Sequence, residues 1–204
     1  MNNIIAAMHN YNHEGPDTFN LIDAAVLHTI LSGAYTTDSE LAALCLSSLS
    51  TVKRSINKLC AFGFITKHIT PNHIKTLEVH SNTLNKFLSD WNWCYVADYT
   101  YLTHTNIPYA MDRYNKIMPG TKFKTIDGCI LNIVKSFSEN GAKFFMSNEE
   151  LGRITISNAS TVQRSVDRLV AAGLLKKENT YTAGKPQRIL IYQKEAVQNL
   201  LDLV

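Results

Sequence analysis

The stretch STVKRSINKLCAFGFITK begins at Ser50, and STVQRSVDRLVAAGLLKK begins at Ser160. At a constant offset of 110 positions Glu40 pairs with Glu150, Leu41 with Leu151, Arg54 with Arg164, Leu59 with Leu169 and Gly63 with Gly173. Ungapped recurrence over such a length marks a duplicated unit, and each copy has to satisfy the same packing rules. At 204 residues the chain has room for two small domains. Any fold proposed for it must therefore be one that a short segment can build twice.

Within each copy, periodicity and punctuation set an order of elements. Residues 17–34 carry Leu21, Ile22, Ala25, Val26, Ile30 and Leu31 on a helical stripe that Gly33 closes. Thr37 and Glu40 have the spacing of a capping box opening a second helix. A third helix places Val52, Ile56 and Leu59 on one face, and Gly63 supplies the left-handed C-cap. FITKHI and IKTLEVH then alternate apolar and polar residues around TPNH, the pattern of a β-hairpin. The second copy repeats the order, with a longer SENGAKFF loop, a capping box at Ser147 and Glu150, and Val162, Val166, Leu169 and Val170 inward. Its hairpin flanks TAGKP, and a last helix carries Val197, Leu200 and Leu201 on one stripe. The expected fold is mainly α with small β-hairpins (α+β). Its divisions are an N-terminal segment (1–16), a first domain (17–80), a connector (81–120) and a second domain (121–204).

The connector holds Trp91, Trp93, Tyr95, Tyr99, Tyr101, Tyr109 and Tyr114. A flexible tether is poor in aromatics and rich in Gly and Ser. The segment is therefore expected to be packed and partly helical, joining the units or contacting a second subunit or protein partner.

Composition narrows the function classes. The apolar runs are too short to span a bilayer, and the N-terminus lacks the basic and apolar regions of a secretion signal, so no membrane partner and a cytoplasmic location are expected. Cys45, Cys60, Cys94 and Cys129 have no CxxC spacing, and Cys45 and Cys60 fall on apolar helix faces, the setting of buried thiols. His9 and His13 are four apart, but the Asn and Tyr around them and Gly15-Pro16 point to a loop, so no metal is expected there. TAGKPQ lacks the spacing of a phosphate-binding P-loop. With no nucleophile–base arrangement in view, neither an enzyme nor a cofactor is expected. The net charge is only +3, yet no Lys or Arg precedes Lys53, and basic residues gather in and after the repeated phrases. Such asymmetry points to a polyanionic partner.

The segments TDSELAALCLSSLSTVKRSINKLCAFGFI and SNEELGRITISNASTVQRSVDRLVAAGLL, each followed by a two-stranded hairpin, resemble the winged helix-turn-helix family. The stretch before each STV is a residue longer than the family's commonest pattern. The resemblance implies tandem winged-helix domains that bind double-stranded DNA through their third helices. Opposite the apolar face, those helices present Thr51, Lys53, Arg54, Asn57 and Lys58 in one copy, and Thr161, Gln163, Arg164, Asp167 and Arg168 in the other. Arg and Lys suit guanine, and Asn and Gln suit adenine. Ser50 and Ser160 lie where they can donate to phosphate oxygens, and the hairpins add Lys75, Lys185 and Arg188. The expected function is sequence-specific DNA binding, as a transcriptional regulator of a mobile element or its host. A plasmid or phage replication initiator with tandem winged helices is the alternative, and a protein-interaction adaptor using the aromatic connector is a third.

Overall fold

The duplicated phrase folds twice as a capped helix followed by a hairpin. In the computed structural model, the described residues are 4–15, 18–33, 37–69, 75–91, 106–118, 120, 122–182 and 185–203. They form two units, Met1–Asp98 and Tyr99–Val204. Unit 1 contains α1 (Ile4–Glu14), α2 (Leu21–Ser32), α3 (Asp38–Leu44), α4 (Leu49–Ala61), β1 (Ile65–Ile69), β2 (Lys75–Val79) and α5 (Ser81–Trp91). Unit 2 contains α6 (Asn106–Ile117), α7 (Thr125–Glu139), α8 (Asn148–Ile154), α9 (Ala159–Ala171), β3 (Leu175–Thr182), β4 (Lys185–Tyr192) and α10 (Lys194–Leu201). The α+β expectation holds at this level, and the element order is the same in both units.

Local chemistry explains the recurrence. The side chains of Ser48 and Asn158 accept from the Thr51 and Thr161 amides at 3.2 and 2.8 Å, starting α4 and α9. Both helices end in a Schellman turn around a left-handed glycine. Gly63 (φ 69°) donates to Cys60 O and Phe64 to Leu59 O; Gly173 (φ 72°) donates to Val170 O and Leu174 to Leu169 O. Between the caps, Val52, Ile56, Leu59, Val162, Val166 and Leu169 are all fully buried (0% exposed), so the apolar faces lie where the spacing puts them. Val170 is half-buried.

The turns before these helices also match. Leu46 (φ 48°) and Ile156 (φ 47°) both sit in the left-handed region, where side chains other than glycine are strained. Each turn is closed by a backbone bond, Ser47 to Ala42 O at 3.0 Å and Ser157 to Gly152 O at 2.8 Å.

Each hairpin is antiparallel and packs behind its helix. β1 pairs with β2 from Ile65–Val79 to Ile69–Lys75, and β3 with β4 from Leu175–Tyr192 to Thr182–Lys185. In unit 2, Phe144 bridges to Leu190 and adds an edge to the sheet. Cys45 and Cys129 are buried and Cys60 is half-buried; burial pushes the Cys45 thiol up to about 12. Cys94 lies outside the described residues. No helix among the described residues is long and apolar enough to cross a membrane.

Two expectations change. Residues 4–14 are a helix, not a loop: Ile4, Ile5, Ala6, Ala7 and Met8 are buried, and Asn10 Nδ2 donates to Trp91 O at 2.6 Å. His9 and His13 thus share a helix face with Nε2 atoms 3.3 Å apart, though no group of three or more metal-ligating side chains occurs among the described residues. The aromatic connector, in turn, is divided. α5 packs on α1 within unit 1, while α6 packs on α7 and α10 within unit 2. Trp91 stacks edge-on against Tyr11 at 5.1 Å, whereas Trp93, Tyr95, Tyr99 and Tyr101 lie outside the described residues.

The helix preceding each trihelical set is anchored by the same clamp. Asn12 Nδ2 donates to Phe19 O and Asn12 Oδ1 accepts from Phe19 N, both at 2.6 Å. Asn115 does the same with Phe123, at 2.9 and 2.7 Å. Tyr11 and Tyr114 lie against those phenylalanines with ring centroids 5.4 and 5.2 Å apart.

Candidate nucleic-acid interface

The outward sides of α4 and α9 hold most of the polar residues singled out by the sequence. On α4, Ser50, Lys53, Arg54 and Asn57 are exposed and Thr51 is half-buried. Arg54 leans back on its own helix, Nη2 lying 3.4 Å from Thr51 Oγ1. Asn57 accepts from Lys67 of β1, so a cation from the hairpin joins the helix surface. On α9, Ser160 and Arg164 are exposed and Thr161 is half-buried; Arg164 Nε donates to Ser160 O at 3.2 Å. Ser160 Oγ donates to Asn158 Oδ1 at 2.7 Å.

Lys58 and Arg168 have a different setting. Lys58 Nζ donates to Asp23 Oδ2 at 2.8 Å and to Thr18 O at 2.7 Å. Arg168 Nε and Nη2 grip Asp127 at 2.7 and 3.0 Å. Both carboxylates are buried, at 1% and 0% exposure, and each also accepts from the backbone amide that begins its helix, Asn20 or Lys124. These two cations therefore tie α4 to α2 and α9 to α7, and their charge is matched within each unit. A buried carboxylate requires such a partner, because desolvation without one costs several kcal/mol.

The hairpin residues divide similarly. Lys75 donates to both oxygens of Asp38 at 2.7 and 2.9 Å, joining β2 to the start of α3. Arg188 donates to Asn148 Oδ1 at 2.6 Å and Met146 O at 3.0 Å, holding β4 to the start of α8. Burial lowers the Arg188 pKa, offset in part by the charges of Asp167 and Glu149. Lys185 begins β4 opposite Thr182.

Between α8, α9 and the second hairpin runs a groove of about 500 Å³, lined among others by Phe145, Asn148, Glu149, Gln163, Lys177 and Arg188. Gln163 is shared within it: its Oε1 accepts from Asn148 and its Nε2 donates to Asp167, each at 2.7 Å. Both carboxylates (Glu149, Glu150) and cations (Lys177, Arg188) line this groove, in contrast to the outer face of α4. Lys67 and Lys177 were not singled out by the sequence. Their signal was available in strand alternation, which places every second side chain on one face of a hairpin. No protein-family model and no curated protein matches this sequence.

Proposed function

We propose that the protein binds double-stranded DNA sequence-specifically through two winged helix-turn-helix units, acting as a transcriptional regulator. The observation that carries the reading is the outer face of α4. It presents Ser50, Lys53, Arg54 and Asn57 to solvent on a helix whose opposite side is fully buried, with Lys67 of the hairpin beside it. An exposed helix bearing Arg, Lys and Asn matches the donor and acceptor pattern of the major groove. Arg164 and Gln163 offer a second, less basic version on α9.

The two units make an internal pair, so one chain can occupy two half-sites. Because Lys58, Lys75, Arg168 and Arg188 hold internal partners, the phosphate contacts fall to Lys53, Arg54, Lys67 and Arg164, with Lys177 at the hairpin of unit 2. Four to five such contacts give a log–log dependence of affinity on salt with a slope of about −4, from roughly −0.9 per phosphate. Selection of bound duplexes from a random pool, followed by a salt titration on the selected site, tests this. Selected sites that overlap promoters support regulation, while repeats at a replication origin move the reading to initiation. A slope near zero, or retention of a protein partner at high salt in place of DNA, contradicts DNA binding and favours an adaptor.

A further inference from the structure

A pocket of about 380 Å³ opens in unit 1 between the start of α2 and the outer side of α4. Asn20, Asp23, Thr51, Arg54, Ser55 and Lys58 contribute to its wall. Its volume falls at the lower end of the roughly 300–1,000 Å³ typical of small-molecule sites. One of these residues is anomalous: Ser55 is 4% exposed, and its hydroxyl is buried without a hydrogen-bond partner. Buried polar groups are paired in the great majority of cases, so an unpaired donor in a pocket wall is a reason to look for its acceptor.

The second copy shows what the same positions do when that donor is used. Ser165 Oγ donates to Asp127, and Arg168 grips both oxygens of the same carboxylate. In unit 1 a lysine replaces the arginine, and Lys58 engages only Asp23 Oδ2, with Thr18 O as its other acceptor. A single ammonium cannot reproduce the two-pronged grip of a guanidinium. Asp23 is left without the serine, and Ser55 without the aspartate.

The charge balance gives the ligand class. Lys58 neutralises Asp23, so Arg54, exposed and bonded to Thr51 Oγ1 at 3.4 Å, adds uncompensated positive charge at the rim. The pocket also lies at the N-terminus of α2, a 12-residue helix whose dipole favours an anion there. Two hydroxyls and a guanidinium form a set of donors for a tetrahedral oxyanion; the first amides of α2, at Ile22 and Asp23, already donate to Asn20 Oδ1, so the helix adds its field and no further hydrogen bond. We propose that this pocket binds a phosphate group, with Arg54 supplying the charge and the Thr51 and Ser55 hydroxyls donating to its oxygens. The group is carried either by a nucleic-acid backbone or by a small phosphorylated molecule. The proposal shares Arg54 with the DNA-binding face but does not require that reading.

The test is an amide NMR titration of the full chain with inorganic phosphate, at ionic strength held constant with sodium chloride. The expected result is saturable shifts at residues 20–23 and 51–58, with none at residues 160–168. Ser55→Ala should weaken phosphate binding about tenfold or more, the scale of a hydrogen bond to a charged group. The same variant should melt no lower than the parent, since it deletes a buried hydroxyl that has no partner. Ser165→Ala should do the reverse, lowering the melting temperature and leaving phosphate binding intact. Absence of saturable shifts, equal shifts in both units, or phosphate binding unaffected by Ser55→Ala overturns the proposal. If a selected duplex displaces the phosphate, the group belongs to a DNA backbone. Phosphate binding that persists beside a bound duplex, or in a protein that binds no duplex, assigns the pocket to a small phosphorylated molecule.

Discussion

Lys58 and Arg168 show how far a helical wheel can carry a site assignment. The wheel gives the direction of Cβ, and for both residues that direction is away from the apolar stripe. Their long stems then turn the charge onto Asp23 and Asp127, which stand 35 and 41 positions away in the chain. Sequence spacing holds no trace of that pairing, whereas Ser50, Lys53, Arg54, Asn57 and Arg164 were legible because they stay exposed. Arg168→Ala leaves a fully buried carboxylate without its cation and should destabilise unit 2 by about 3–5 kcal/mol. Lys58→Ala should cost unit 1 less, because the lysine side chain is about a third exposed (32%). Thermal melts measure both, and equal melts for Arg168→Ala and parent would show that the ion pair has no structural role. Gly152 carried no signal in the repeat, because its counterpart at the 110-residue offset is Ala42. A Cβ there would meet Ser157 O at 2.5 Å. Gly152→Ala gains up to about 1 kcal/mol in helix propensity but must push the turn outward. The expected net loss is about 1–3 kcal/mol, the range for overpacking. An unchanged or higher melting temperature would show that the turn yields freely, as it already accommodates Ala42 in unit 1.

At the scale of elements, α2, α4, α7 and α9 were readable because their stripes are long, and α2, α4 and α9 also because Asn20, Ser48 and Asn158 cap them. The first helix was not. Its inward residues span little more than two turns, and His, Asn and Tyr dilute the pattern. Its counterpart α6 was also hidden, because the longer loop between α7 and α8 shifts the register of the repeat. Tyr11-Asn12 and Tyr114-Asn115 therefore fall outside the offset that aligns the later helices. The hairpins were visible as alternation, but their ties to α3 and α8 through Lys75 and Arg188 were not. Elements that match in place differ in chemistry. His28 on α2 is half-buried, with Nδ1 unpartnered, and burial lowers its pKa. Asn132 occupies the matching place on α7 and does not titrate. The unfolded chain takes up a proton near the ordinary histidine value of about 6.5, which the folded unit resists until lower pH. Unit 1 should therefore lose stability as pH falls through about 6.5, and the loss should level off below the folded value. His28→Asn should flatten that slope relative to the parent in melts between about pH 7 and 5. A parallel pH dependence in both proteins would assign the effect to other groups.

Over the whole molecule, the duplication is complete in order and uneven in surface. Each unit has five helices and one hairpin among the described residues, and the clamp, turn, Schellman cap and buried aspartate all recur. The outer faces diverge where folding leaves them free. Lys53, Arg54 and Asn57 on α4 face solvent where α9 has Gln163, Arg164 and Asp167. Two such faces suit an unsymmetrical site better than a perfect repeat. The proposed contact of these faces with DNA is read out by the affinity of the Arg54→Ala and Arg164→Ala variants for a selected duplex, with melts run in parallel. Both arginines are exposed, so each variant should melt like the parent while binding weakens by about 1–3 kcal/mol, roughly 5- to 150-fold. Undiminished affinity in both variants would contradict the account, because the outward sides of α4 and α9 could not then be the surfaces that read DNA.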